Sequence, residues 1–430
     1  MYLFTISSTS SISPTSPTSS WKRTILILFL LIPLLLAACG GNGNGSGSAT
    51  QSPIKIGLIS PLTGPEGFIG QAGLKGVQVA ADYINANGGI LGRQIKLISA
   101  DTGGDAVDAV PALRKLINID QVNLIIGPTS IEAQAVLPIL QQSKIPDIIF
   151  GGTTQLDTLV SKYIWRAYPS DSELGIAMAR YAIDKGYTRA AILFASNESA
   201  QTLVAPIQGA FQRHGGTIVA NISVVPGQSS YRSEIEQLYA AHPQVVFTQV
   251  DPQTGATLFS EIKELKGLGL PFIGTDATAG SDFVKAITPQ VATQMLTALI
   301  GSSQGGSGRT LFNQLYMKKY GTAPVQLADY SYDGLMLLAL AADAAGSTNG
   351  DAVGAMMKTI ANPPGIMVSD YATAYQDLKA GKKINYEGAS GPLDFNDHNY
   401  VYEPFDVLQF DAAGNPKVVT TISVDQIQGY

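Results

Sequence analysis

From Pro53 onward, apolar runs too short for helices alternate with stretches whose apolar residues recur every three or four positions. Residues 54–60 (IKIGLIS) predict a strand, and Pro61, Gly64, Pro65 and Gly67 supply turn chemistry after it. Ala72, Val77, Ala80, Ala81 and Ile84 then repeat at helical spacing until Asn87-Gly88-Gly89 stops them. With a second strand at 94–100, this is one βαβ unit. The rhythm continues with a helix over 105–119, a strand over 122–126, a helix over 131–142 with Ser130 as candidate N-cap, and a strand over 147–150. A similar series begins after Pro169: helices over 171–185, 200–214, 233–241 and 252–268 alternate with strands over 190–195, 217–225, 245–250 and 271–274. Such alternation predicts an α/β protein with parallel sheets covered on both faces.

Beyond Gln290 the pattern loosens. A strand over 295–300 and a Gly/Ser loop over 301–308 precede helices over 310–320, 326–345, 351–360 and 370–380. The chain ends in a hairpin, 404–410 and 417–422, around a Gly-containing turn.

The first 52 residues follow other rules. Trp21-Lys22-Arg23 precedes fifteen uncharged residues, Thr24 to Ala38, too few to span a bilayer and suited to a signal-peptide h-region. Leu36-Ala37-Ala38-Cys39 resembles a bacterial lipoprotein processing site, which implies cleavage before Cys39 and a lipid on its sulfur. Cys39 is the only cysteine, so an intramolecular disulfide is excluded. Residues 40–52 collapse to Gly, Asn and Ser, a flexible tether. Without residues 1–38, which hold Lys22 and Arg23 and no acid, 25 basic residues face 33 acidic ones, a net charge of −8. That field does not suit nucleic acid. The roughly 380 remaining residues exceed one ordinary core, so two lobes are expected.

Several pieces, in order, carry a more specific signal: Ser60–Pro65 (SPLTGP), Ala86–Gly92 (ANGGILG), Asp101 after the second strand, Ile126-Gly127-Pro128, Arg166 with Asp171, and Gly391–Phe395 (GPLDF). Together they resemble type I periplasmic binding proteins, and within these the leucine/isoleucine/valine-binding family of ABC-transporter solute receptors. The resemblance implies two Rossmann-like lobes joined by three crossovers, near 168–172, 295–302 and 394–400, with the ligand in the cleft between them. It implies lobe one from 53–170 plus 300–395 and lobe two from 171–299 plus 396–430, following a signal peptide (1–38) and tether (39–52). It further implies a monomer lipid-anchored to the outer face of the cytoplasmic membrane, an amino-acid-like ligand, ABC permease subunits as partners and no cofactor.

A zwitterionic ligand needs N–H groups and hydroxyls for its carboxylate and an acid for its ammonium. Thr129 and Ser130, at a strand-to-helix junction, can present hydroxyls beside exposed N–H groups, and Gly152, Thr153 and Thr154, in the next strand-end loop, match the family segment that meets both the α-carboxylate and the α-ammonium. Plain capping or an ordinary polar turn explains them equally. Asp276 matches the family acid that meets the ammonium, with a helix cap near Ser281 as its other reading. The family's aromatic contacts map to Phe68 or Ile69, Phe68 being preferred, and to Ala200 and Val250, which are not aromatic. That departure, with Asn197, Ser199, Gln249, Asp251 and Gln253 nearby, points to a more polar pocket. Against an enzyme stand three scattered histidines (His214, His242, His398), glycines at 64, 67 and 70 spaced wrongly for a dinucleotide loop, and acids at 101, 105 and 108 without the rest of a calcium loop. A sensor of the same fold is the remaining alternative.

Overall fold

The computed structural model describes residues 52–302 and 307–430; the signal peptide, Cys39 and nearly all of the tether lie outside the described residues. Two sheets organise the chain. The first contains β1 (Ile54–Ser60), β2 (Ile95–Asp101), β3 (Leu124–Ile126), β4 (Asp147–Ile149) and β5 (Ile164–Arg166), in the order β2-β1-β3-β4-β5, every pair parallel. The second takes β6 (Arg189–Ala195), β7 (Thr217–Val224), β8 (Val245–Gln249), β9 (Phe272–Gly274) and β10 (Leu296–Gly301). Its parallel part runs β7-β6-β8-β9-β10, the same permutation as in the first sheet. β11 (Ile366–Val368) and β12 (Ile384–Tyr386) form a separate parallel pair, while β13 (Phe405–Phe410) and β14 (Pro416–Ile422) extend the second sheet antiparallel beyond β10.

The chain therefore passes from the first sheet to the second after β5, leaves after β10 for helices that pack on the first sheet, and returns before β13. Strands buried on both faces explain the near-continuous apolar runs. Ile54, Ile56, Leu58, Leu124, Ile126 and Ile148 share one core with the helix Ala328–Ala345, in which fifteen consecutive residues, Ala328 to Ala342, are buried. A helix apolar over most of its circumference must lie inside, and its Asp333 is hydrogen-bonded there. It packs on the helix Gly67–Ala86 closely enough for the Ser331 hydroxyl to donate to the Gly73 carbonyl at 2.9 Å. The second lobe builds its own core from Ile192, Phe194, Phe211, Phe247, Phe259 and Phe272 and their neighbours.

Residues 164–166 form a fifth strand of the first sheet that the sequence pattern did not predict, and the chain crosses between the sheets after them. Two expectations need correction. The helix expected over 200–214 is two pieces, Glu198–Gln201 and Val204–Arg213, because Asn197 caps the first by accepting the Ala200 N–H at 3.0 Å. The helix beginning at Ser130 is capped by Thr129, which has extended backbone angles, so Ser130 is its first helical residue.

Candidate functional site

In open parallel sheets, ligands collect where neighbouring strands send their connections to opposite faces, outside the strands' carboxyl ends. In the first sheet that point lies between β1 and β3, in the second between β6 and β8. The loops following these strands meet across a cleft enclosing about 420 Å³ of non-protein space, partly open to solvent.

The first lobe contributes Ile69, Thr129, Ser130, Phe150, Gly151 and Gly152. Asp101 holds the loop after β1 by accepting from the Leu62 and Thr63 N–H groups at 2.9 and 3.2 Å and from the Thr63 hydroxyl at 2.7 Å. After β3 comes a cis Gly127–Pro128 bond, then Thr129. Both the N–H and the hydroxyl of Thr129 donate to Oε2 of Glu132, and the Thr102 hydroxyl donates to its Oε1. The Ser130 hydroxyl accepts the Thr153 N–H at 3.1 Å. Glycine is obligatory at 151 and 152. A Cβ on Gly151 would lie 2.5 Å from the Ser130 nitrogen, and one on Gly152 would lie 2.1 Å from Oδ1 of Asp171.

The loop after β4 is stapled from behind by the buried Arg166. Its Nη1 donates to the carbonyls of Gly152 and Thr153 at 3.1 and 3.0 Å, and its Nη2 pairs with Asp157 at 2.6 Å. The guanidinium also lies 4.4 Å from the centre of the Tyr400 ring.

The crossover after β5 and the second lobe close the cleft with Tyr168, Asp171, Ser199, Gln249, Asp276 and Ala277. Asp276 begins a 3-10 turn; the helix Ser281–Ile287 has Gly280 at its N-cap, so capping that helix is not the role of Asp276. Oδ1 of Asp276 accepts the Ala277 N–H at 2.7 Å, and Oδ2 accepts the Tyr168 hydroxyl. Burial raises the Asp276 carboxyl above its ordinary range despite these bonds. Burial also lifts Asp171 to about 7, its bond from the Thr202 hydroxyl and the nearby Arg166 opposing and the Asp276 charge adding.

Two hydrogen bonds cross between the lobes beside the cleft: Asn197 Nδ2 to Glu66 Oε1 at 2.6 Å, and Gln155 Nε2 to Glu198 Oε1 at 3.1 Å. Glu66 is buried and pushed up to about 7, chiefly by burial and further by the charges of Asp251, Glu132 and Asp276.

Of the sequence candidates, Thr129, Ser130, Gly152 and Asp276 line the cleft. Thr153 is buried behind the wall with its hydroxyl unpaired, and Thr154 opens a 3-10 turn beyond it. Phe68 is half-buried outside the wall, where its neighbour Ile69 sits instead. Ala200 and Val250 are buried in the second lobe's core, and Asp251 caps the helix Pro252–Leu265 through the N–H groups of Gln253 and Thr254. Gln249 and Ser199 form a polar floor, joined at 3.2 Å.

Sequence reasoning missed the aromatic wall. Phe150 and Tyr168, whose ring centres are 5.7 Å apart, and Leu327, whose φ of 73° is left-handed, form a small apolar cluster with Ala72 and Tyr330. Their sequence separations hide the cluster. The acid at Glu132 was more accessible, since Thr129 and Glu132 have the spacing of a capping box.

Two repeated parallel α/β sheets facing each other across a polar cleft define a two-lobed solute receptor. The family described as periplasmic binding protein matches residues 53–415, and the chain belongs to it, with the two-lobed type I fold. It is 25% identical over 360 residues to the chemotactic signal transduction system substrate-binding protein BasB of Halobacterium salinarum, covering 80% of this chain and 83% of that protein. It is 27% identical over 262 residues to the Leu/Ile/Val-binding protein BraC3 of Rhizobium johnstonii, covering 55% of this chain and 68% of the relative. The fold is similar to that of the leucine-binding protein LivK of Thermotoga maritima, with a TM-score of 0.74 and 20% identity over 86% of this chain and 99% of the other. The family binds solutes and acts outside the cytoplasm.

Proposed function

We propose that this protein is the solute-binding lipoprotein of an ABC importer, anchored through Cys39 on the outer face of the cytoplasmic membrane. It works as a monomer, capturing an amino acid or analogue by hinge closure and presenting it to the permease. In this reading residues 53–170 with 300–395 form one lobe and 171–299 with 396–430 the other. Asp276 pairs with the ligand's ammonium, while Thr129, Ser130 and Gly152 line the wall opposite.

The observation that carries this reading is the cleft itself, where Tyr168 and Asp276, Asn197 and Glu66, and Gln155 and Glu198 bridge the lobes. Hydrogen bonds that exist only when the lobes meet are what ligand-driven closure uses. A thermal-shift screen of amino acids, amides and aromatic acids tests it. A true ligand at 100 times its dissociation constant adds about 2.7 kcal/mol of stability. Failure of every class to stabilise the protein counts against solute capture. Mass spectrometry finding no lipid on Cys39 of membrane-extracted protein removes the anchor.

A second reading, a receptor for a signalling partner, is favoured by the halobacterial relative, whose name places it in chemotactic signal transduction. Loss of ligand uptake on deletion of the gene supports the importer; loss of a behavioural response with uptake intact supports the sensor.

A further inference from the structure

We propose that the ligand taken by this cleft is a small organic ion of net positive charge, an ammonium or guanidinium compound, held between Asp171 and Asp276. The inference rests on the solute-capture reading above and concerns only what is captured.

Two carboxylates, Asp171 and Asp276, line the cleft, and no lysine, arginine or histidine stands among the described lining residues. The two acids differ in how far the protein satisfies them. Both oxygens of Asp276 accept hydrogen bonds. Asp171 is only 7% exposed, and its single side-chain hydrogen bond, from Thr202, falls on Oδ2. Its Oδ1 lies against Gly152 in the cavity wall with no donor. An oxygen that faces the cavity with no protein donor is open to a donor brought in by a ligand. The nearby Arg166 spends its terminal nitrogens on Asp157 and two backbone carbonyls, and its buried Nε makes no hydrogen bond.

On the opposite wall the protein's own carboxylate already occupies part of the place a ligand carboxylate would take. The helix N-terminus at Thr129, where an anion would ordinarily dock, is filled by the protein's own Glu132. That side chain takes the Thr129 N–H and hydroxyl on one oxygen and the Thr102 hydroxyl on the other. The Ser130 hydroxyl accepts the Thr153 N–H, which orients it and leaves its own O–H as a neutral donor beside the two acids. Glu66 and Asp251, both buried, add negative field nearby. One ammonium group leaves this site short of positive charge, and a carboxylate beside it deepens the shortfall. Phe150 and Tyr168 supply π faces in the same wall, a surface that favours cations over neutral polar groups.

The test uses the tethered chain without its signal peptide, with Cys39→Ser to prevent lipidation. Putrescine, agmatine and arginine are compared with leucine and benzoate by thermal shift and calorimetry at pH 8. At least one cation is expected to bind a hundredfold more tightly than leucine or benzoate, and to weaken as salt is raised. Asp171→Asn, near-isosteric and therefore expected to fold, should cost that cation tenfold or more. Glu132→Gln, which keeps hydrogen-bonding atoms at the helix cap but removes the charge, should narrow the preference for the cation over leucine at least fivefold. Leucine or benzoate binding as tightly as every cation overturns the inference and leaves solute capture standing. So does cation binding that Asp171→Asn leaves within twofold. No binding by any of the five probes overturns the inference, whereas solute capture falls only when the broader amino-acid and amide screen is also blank.

Discussion

The interior of the first lobe and the cleft between the lobes both bury aspartates that form no ion pair, and they treat them differently. Asp333, fully buried in the helix Ala328–Ala345, accepts from the Tyr386 hydroxyl at 3.0 Å, the Ala389 and Ser390 N–H groups at 2.9 and 2.7 Å, and the Ser390 hydroxyl at 2.6 Å. Burial still raises it to about 6, but no oxygen lacks a donor. Asp171 at the cleft has one donor and an open oxygen. A buried acid satisfied from within holds elements together, here fastening the segment after β12 to the central helix. One satisfied from a single side waits for a partner that the folded chain does not contain.

The largest expected effect breaks the first half of that contrast. Asp333→Ala strands two hydroxyls and two backbone N–H groups, and should cost about 3 kcal/mol or more in urea unfolding. A loss under 1 kcal/mol would show the network to be incidental. Next comes Asp276→Ala, expected to weaken ligand binding at least tenfold, about 1.4 kcal/mol, with the unliganded melting temperature unchanged or raised. Calorimetry finding unaltered affinity removes Asp276 from the site.

A third case goes further than either. Asp147 sits at the start of β4, fully buried, with neither oxygen bonded, and burial holds its carboxyl well above the usual range. Asp147→Val should therefore stabilise the protein by about 1 kcal/mol, and a lowered denaturation midpoint contradicts that.

The smallest effect is in pH. Glu66 and Asp171 both stand near 7, above their unfolded values, so the stability they contribute is fully present below about pH 4 and is lost as pH rises through 7. Relative to wild type, the Glu66→Gln/Asp171→Asn double variant should gain on the order of 1 kcal/mol between pH 7 and pH 8. A difference that is flat in pH argues that these acids are not strained by burial.

How far the sequence carried the reading depended on the range of the physics involved. β1, the helix after it and the Gly-Gly stop were legible because period and turn chemistry act over a few residues. β5 was not, since three residues, Ile164–Arg166, make a strand only when β4 and the bridge from Arg166 to Tyr400 receive them. Thr129, Ser130, Gly152 and Asp276 could be placed at the cleft because each follows a recognisable strand. Tyr168, Phe150 and Leu327 could not, because their juxtaposition is fixed by packing across 177 residues of chain.

By itself, the sequence determined the alternation of strands and helices, hence the parallel sheets, the two-lobed family and the loops that carry the site. Apolar spacing and glycine placement are local and survive without knowing what each element touches. Only the tertiary structure decided which polar atoms remain unsatisfied. It spent the Thr129 donors on Glu132, put Ala200 and Val250 into a core, and left one oxygen of Asp171 facing the cavity. Charge balance in a cleft is a sum over residues distant in sequence, and it exists only once the chain has folded.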